Sequence, residues 1–229
     1  MLYPIFDPTY IILIPAVLLS LWAQAKVSGT FNKYNKVPNR VGYTGAQVAS
    51  MIMNKKGIYN VRLEVVSGRL SDHYDPINKV VRLSEDVYYG TSLAALGVAA
   101  HEVGHVQQDF EKYGPLKFRH SIFPAVNLSN SLSWILFFVG LVFSIKPLIT
   151  AGIILFSVVV LFQLVTLPVE FNASNRAIKD LENMGILAQD EIYSAKNVLS
   201  AAALTYVAAT LMAISQLIRL IAISDRNSD

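Results

Sequence analysis

Pro147 to Glu170 reads PLITAGIILFSVVVLFQLVTLPVE, and its first 23 residues carry no charge. A helix crossing the hydrocarbon core of a bilayer needs about 17–25 predominantly apolar residues. This stretch has that length, and a glutamate closes it. Three more charge-free gaps flank it: Pro8–Ala25 with 18 residues, Ser121–Ile145 with 25 and Asn197–Ile218 with 22. Lys146-Pro147 alone separates two of them, which predicts a tight hairpin between adjacent spans. Ser200-Ala201-Ala202-Ala203 makes the last gap the least greasy, and its small residues suit close helix packing.

The composition agrees with four spans. Of the 229 residues 53% are hydrophobic and 15% charged, with mean hydropathy +0.43. Soluble domains run about 45–50% apolar and about 25% charged. The absence of cysteine excludes disulfide scaffolds, thiolate metal sites and cysteine nucleophiles. A net charge of +3 without a concentrated basic patch gives no reason to expect nucleic acid.

Basic residues orient the spans. Thirteen of the 19 lie between Lys26 and Arg119, three in 170–198, one at Lys146 and two after the last gap. The positive-inside rule places 26–120 and 170–198 in the cytoplasm, with both termini and Lys146 outside. Ala23-Gln24-Ala25 resembles a signal-peptidase site, but no basic residue precedes the first gap and Asp7 stands where a positive charge belongs. The first gap therefore reads as an anchor. The expected organisation is a first transmembrane helix in 1–25, a polar segment 26–120, a transmembrane hairpin 121–169, a second polar segment 170–198, and a fourth transmembrane helix with a tail in 199–229.

Within 26–120, Thr44-Gly45-Ala46-Gln47 is a capping-box start for a short helix that Gly57 ends. Val61 to Val66 and Lys79 to Ser84 read as strands, with Ser71-Asp72-His73-Tyr74-Asp75-Pro76 extended or looped between them. A helix follows over about Ser92 to Phe110. The fold class is thus membrane α+β: four transmembrane helices with a small strand-and-helix portion.

That helix carries His101-Glu102-Val103-Gly104-His105. Histidines at i and i+4 share a helical face and can grip one ion. Imidazole nitrogen suits zinc, and Glu102 is placed to take a proton from a water on it. A catalytic zinc takes three protein ligands. Glu170 is the best candidate for the third, because two spans separate it from His105 and an even number of crossings returns the chain to the same membrane face.

His101 to His105 with Glu170-Phe171-Asn172-Ala173-Ser174 resembles the gluzincin-type metallopeptidases, whose pattern is HExxH followed by ExxxD. The whole chain resembles the membrane neutral zinc metallopeptidases (YugP-like) through Ser71–Pro76, Val81–Ser84, His101–His105 and Leu167–Arg176. It is more distantly similar to the HtpX-type proteases. The resemblance implies a small zincin-like portion, one zinc ion held by His101, His105 and Glu170, and catalysis by Glu102. Ser174 stands where gluzincins carry an aspartate that orients a ligand histidine, so its hydroxyl would be a weaker, neutral partner.

The implied activity is peptide-bond hydrolysis by metal-activated water on the cytoplasmic side of the cell membrane, with membrane proteins or peptides as substrates. An oxyanion needs a further donor, and His73, Tyr88, Tyr89 and Arg176 are chemically able. The strand Val80 to Ser84 either completes a small sheet or offers its edge to an extended substrate. A metal-binding membrane scaffold without catalysis is the competing function. A transporter component is disfavoured by the lack of paired broken spans.

Overall fold

The computed structural model describes residues 7–226. Residues 1–6 and 227–229, the outer ends of the first and last expected segments, lie outside the described residues. In chain order, a 3-10 turn Pro8–Leu13 leads into α1 (Ile14–Tyr34). There follow α2 (Gly45–Lys55), β1 (Arg62–Val66), β2 (His73–Asp75), β3 (Val80–Ser84), α3 (Glu85–Tyr88), α4 (Leu93–Phe110), α5 (Gly114–Val142), α6 (Lys146–Asn183) and α7 (Gln189–Arg226). Pro8–Tyr34 and α5, α6 and α7 are each long and apolar enough to cross a membrane.

The helices run past the gaps that revealed them. At 1.5 Å per residue, the 38 residues of α6 span about 57 Å, nearly twice a hydrocarbon core of about 30 Å. Charged residues interrupt the apolar signal but not the helix, because Glu, Lys and Arg are good helix formers. Glu170 therefore lies inside the continuous helix α6.

The chain forms two compact units. One comprises the residues up to Ala23, Phe118–Leu167 and those from Thr205 onward. Its buried cluster is Phe137, Ile149, Phe156, Val160, Ala213 and Leu220, with Trp134 stacked on Phe138 at 5.6 Å. Gly152 lets α6 approach α5: a Cβ there would stand 2.8 Å from the Ser133 carbonyl oxygen. Buried hydroxyls bond within their own helices, Ser133 to the Asn130 carbonyl and Thr166 to that of Phe162. Large apolar side chains such as Ile154, Phe138 and Leu128 point outward, as a lipid-facing surface requires.

The other unit comprises Gln24–Lys117 and Pro168–Leu204. Its core gathers Phe31, Ile52, Leu83, Leu96, Leu181 and Ile186 from α1, α2, β3, α4, α6 and the turn before α7. The capping box of α2 forms in both directions, Gln47 N–H to Thr44 Oγ1 at 3.2 Å and Thr44 N–H to Gln47 Oε1 at 2.9 Å. Gly57 follows α2 with φ +71°.

The sheet order is β1-β3-β2. β3 pairs parallel with β1, Leu63 opposite Val81, and antiparallel with β2, Tyr74 opposite Val81. Of the two roles open to Val80–Ser84, the strand completes the sheet and offers no edge: β3 is central and both of its ladders are used. The third strand comes from Ser71–Pro76, whose middle residues pair. Its hairpin is closed by Asp75, whose carboxylate accepts from the Ile77 and Asn78 amides, each at 3.0 Å.

Candidate metal centre

α4 is built to be surrounded. Ser92 Oγ caps it through the Ala95 amide at 3.1 Å, and Ala94, Ala95, Ala99, Ala100 and Val103 are fully buried. Gly104 sets the approach of α6, since a Cβ there would lie 2.6 Å from the Ala173 carbonyl oxygen. No side chain fits in that space without moving a backbone. This contact puts the His101–His105 face of α4 beside the Glu170–Ser174 turn of α6.

Glu170 Oε2 stands 3.4 Å from His101 Nε2 and 3.4 Å from His105 Nε2. The imidazoles are nearly perpendicular, with centroids 4.8 Å apart, and the three side chains are 13, 12 and 4% exposed. One ligand atom from each lies within 4.8 Å of the others. Zinc bonds of about 2.0–2.1 Å at a tetrahedral angle separate neighbouring ligand atoms by about 3.3 Å. The two His–Glu spacings match that edge and are long for direct hydrogen bonds. Two imidazoles and a carboxylate are also a donor set of catalytic zinc, so the residues present fit the ion.

Each imidazole is held from behind. Ser174 Oγ lies 3.1 Å from His101 Nδ1, and Gln108 Oε1 lies 3.0 Å from His105 Nδ1. Gln108 is fully buried, and its amide nitrogen donates to the Val169 carbonyl at 2.8 Å and to Asn172 Oδ1 at 3.0 Å. A backbone carbonyl only accepts, so the amide orientation is fixed and Gln108 Oε1 must receive a proton from His105. That tautomer leaves the Nε2 lone pair directed toward Glu170 and free for a metal. Arg176 extends the chain of contacts, donating to Asn172 Oδ1 at 2.7 Å and pairing with Glu111 at 2.8 Å.

Glu102 is 7% exposed. Burial pushes its carboxyl above the usual range, opposed by the neighbouring His101 and His105 and assisted by the negative charges of Asp72 and Glu170. Burial also raises Asp72, against the hydrogen bonds it accepts from the Ser84 amide at 2.7 Å and hydroxyl at 3.0 Å. A carboxyl held up in this way is a better proton carrier near neutrality than a solvated one.

The structure brings His101, Glu102, His105, Glu170 and Ser174 together. The other candidates sit differently. His73, on β2, is exposed and bonded through Nδ1 to the Ser71 carbonyl at 2.8 Å, with Arg82 at its other nitrogen. Arg176 touches Asn172 and Glu111 rather than a ligand. Tyr88 and Tyr89 pack edge to face at 4.8 Å, with Tyr89 66% exposed. Sequence reasoning missed Gln108, Asn172 and Asp72. The signal for Gln108 was its place three residues after His105, one helical turn on the same face.

The "Putative membrane protease YugP" of Bacillus subtilis (strain 168) is 51% identical over 210 residues, covering 92% of this chain and 93% of that protein. No solved structure matches the chain. A family model described as "Putative neutral zinc metallopeptidase" matches residues 9–225. With that match over nearly its whole length, this multi-pass membrane chain belongs to the neutral zinc metallopeptidase family.

Proposed function

We propose that the protein is a gluzincin-type zinc endopeptidase in which His101, His105 and Glu170 hold the metal and Glu102 moves the proton. The observation that carries this reading is the single Glu170 oxygen set 3.4 Å from the Nε2 atoms of both histidines. Zinc at such a site supplies a Lewis acid that lowers the pKa of water toward about 7. Glu102 follows His101 on α4, accepts a proton from the attacking water and later returns it to the leaving amine nitrogen, so the peptide C–N bond breaks with no net proton lost. Gln108 and Ser174 keep both imidazoles from swinging, so the ligand set is preorganised rather than assembled at each turnover.

Substrates are membrane proteins or peptides presented near the cytoplasmic face. Two arguments support this. The basic residues concentrate in 26–120, which the positive-inside rule assigns to the cytoplasm. Glu170 stands 24 residues along α6 from Lys146, or about 36 Å by helical rise, just beyond the thickness of a hydrocarbon core of about 30 Å. Glu102→Gln tests the function directly: it should keep the metal and lose cleavage of a membrane-protein substrate in a proteoliposome assay. Unchanged cleavage would remove Glu102 from the mechanism. The competing scaffold reading gains if the zinc-loaded protein cleaves no membrane-inserted substrate offered to it.

A further inference from the structure

The hydrogen bonds behind His105 do not stop at Gln108. Asn172 and Arg176 stand one turn apart on α6, and Gln108 stands one turn before Glu111, the residue that caps α4. Each pair therefore shares a face of its helix. Arg176 bridges the two faces: its Nε donates to Asn172 Oδ1 at 2.7 Å, and its Nη2 pairs with Glu111 Oε2 at 2.8 Å. The same Asn172 oxygen accepts from Gln108 Nε2 at 3.0 Å. The line runs outward from fully buried Gln108, through half-buried Asn172 and Arg176, to exposed Glu111. The hydrogen bond from Arg176 holds the Glu111 carboxyl below its usual range against partial burial, so the pair is ionised at neutral pH.

What this line carries is direction. A guanidinium has five donors and no acceptor. Beside Arg176, Asn172 must therefore present its oxygen and not its amide nitrogen. A turned Asn172 would set its NH2 against the Nε–H of Arg176 and the NH2 of Gln108, two donor–donor contacts in one place. With the oxygen held there, Gln108 answers with its nitrogen, and its own oxygen is left for His105 Nδ1. The Val169 carbonyl acts on Gln108 in the same sense. A flipped Gln108 would need the Nδ1 lone pair of the imidazole and would put the ring proton on Nε2, the atom that faces Glu170.

We propose that Arg176 is a positioning residue of the metal centre: it fixes the Asn172 amide and, through Gln108, the Nδ1–H tautomer of His105. This inference rests on the reading of His105 as a metal ligand and deepens it. Its sign separates it from plain electrostatics. A cation near a dication site opposes metal binding, so its removal would tighten binding if charge were its only role. Positioning predicts the reverse. It also predicts selectivity, because the hydrogen bond behind His101 comes from Ser174, off this line.

The test is Arg176→Met in the detergent-purified full chain. Zinc affinity is read by chelator competition, helicity by circular dichroism, and the ring N–H protons of the zinc-loaded protein by nitrogen-15 NMR, with four histidines to resolve. Arg176→Met should weaken zinc binding by about tenfold, the lower end of what groups behind a ligand are worth. It should also speed exchange of the His105 Nδ1 proton by about tenfold, the worth of one hydrogen bond, with the His101 proton unchanged. Asn172→Leu leaves the Arg176–Glu111 pair in place and should give the same His105-specific effect. The double variant should be no worse than Asn172→Leu, because the two residues act in series. Tighter or unchanged zinc binding in Arg176→Met at equal helicity would overturn the inference and leave Arg176 an ion-pair partner only. Equal acceleration of both histidine protons would also overturn it, as general loosening. A wild type that holds no zinc would overturn the ligand reading itself, and the inference with it.

Discussion

Both units of the molecule use a glycine to bring two helices together, yet the crossings do different work. Gly152 on α6 faces the Ser133 carbonyl, and Gly104 on α4 faces that of Ala173, with a virtual Cβ at 2.8 and 2.6 Å. In the membrane unit the surroundings are aromatic and aliphatic, and the buried hydroxyls of Ser133 and Thr166 bond within their own helices. The side-chain bonds that do cross between elements there are long: Thr210 Oγ1 to the Gln163 carbonyl at 3.4 Å, and Arg219 to Thr9 and Asp7 at 3.2 and 3.3 Å. In the polar unit the same approach clamps hydrogen bonds that cross between α4 and α6: Gln107 to Asp180 at 2.7 Å, Gln108 to the Val169 carbonyl, and Ser174 to His101. Packing alone tolerates small shifts, whereas a buried polar group that loses its partner costs about 1–3 kcal/mol. Tenth-of-an-ångström placement is therefore expected at the candidate metal centre and not among the spans.

The largest effect expected from this contrast is chemical. Glu102→Gln should lower kcat/KM by about 10²–10⁴-fold with zinc content unchanged, read by cleavage assay and metal analysis on one preparation. Next comes Gln108→Ala, which frees the His105 imidazole and should weaken zinc binding by about 10–100-fold in a chelator competition. The matching polar deletion in the membrane unit, Thr166→Ala, should leave zinc affinity unchanged. If the two variants behave alike, the distinction between the units fails.

The two glycines give the most even-handed comparison. Gly104→Ala and Gly152→Ala should each cost about 1–3 kcal/mol of stability from overpacking, measured by thermal unfolding in detergent. Only Gly104→Ala should also weaken zinc binding, by about tenfold. The smallest effect belongs to Ser174→Ala, about fivefold in zinc affinity, the worth of one neutral hydrogen bond. Ser174→Asp should move affinity the other way, because a carboxylate makes a charge-assisted bond to the imidazole.

Much of this arrangement was legible before any coordinates. Four charge-free gaps located four long helices, because only helices satisfy their backbone in lipid at that length. The capping box at Thr44–Gln47 and the Ser92 start of α4 are local signals, and local hydrogen bonds realised them. Glu170 was found by counting crossings, a topological argument that needs no contact. The sheet was read less well. Ser71–Pro76 contains Asp, His and Pro, poor strand formers on propensity, and its strand exists because β3 had an open ladder to fill. Tertiary pairing overrode propensity, as it commonly does in sheets. Gln108 and Asn172 were missed for a related reason: a polar residue on an inward helix face declares its role only when its partner, 61 residues away for Gln108 and the Val169 carbonyl, is in place.

The central claim is that Glu170 completes a three-ligand site with His101 and His105. The direct test is the zinc content of the detergent-purified protein against Glu170→Ala prepared identically, with helical content checked by circular dichroism. The account predicts near one zinc per chain in the wild type and much less in the variant at equal helicity. Equal zinc in both would contradict it and require another third ligand.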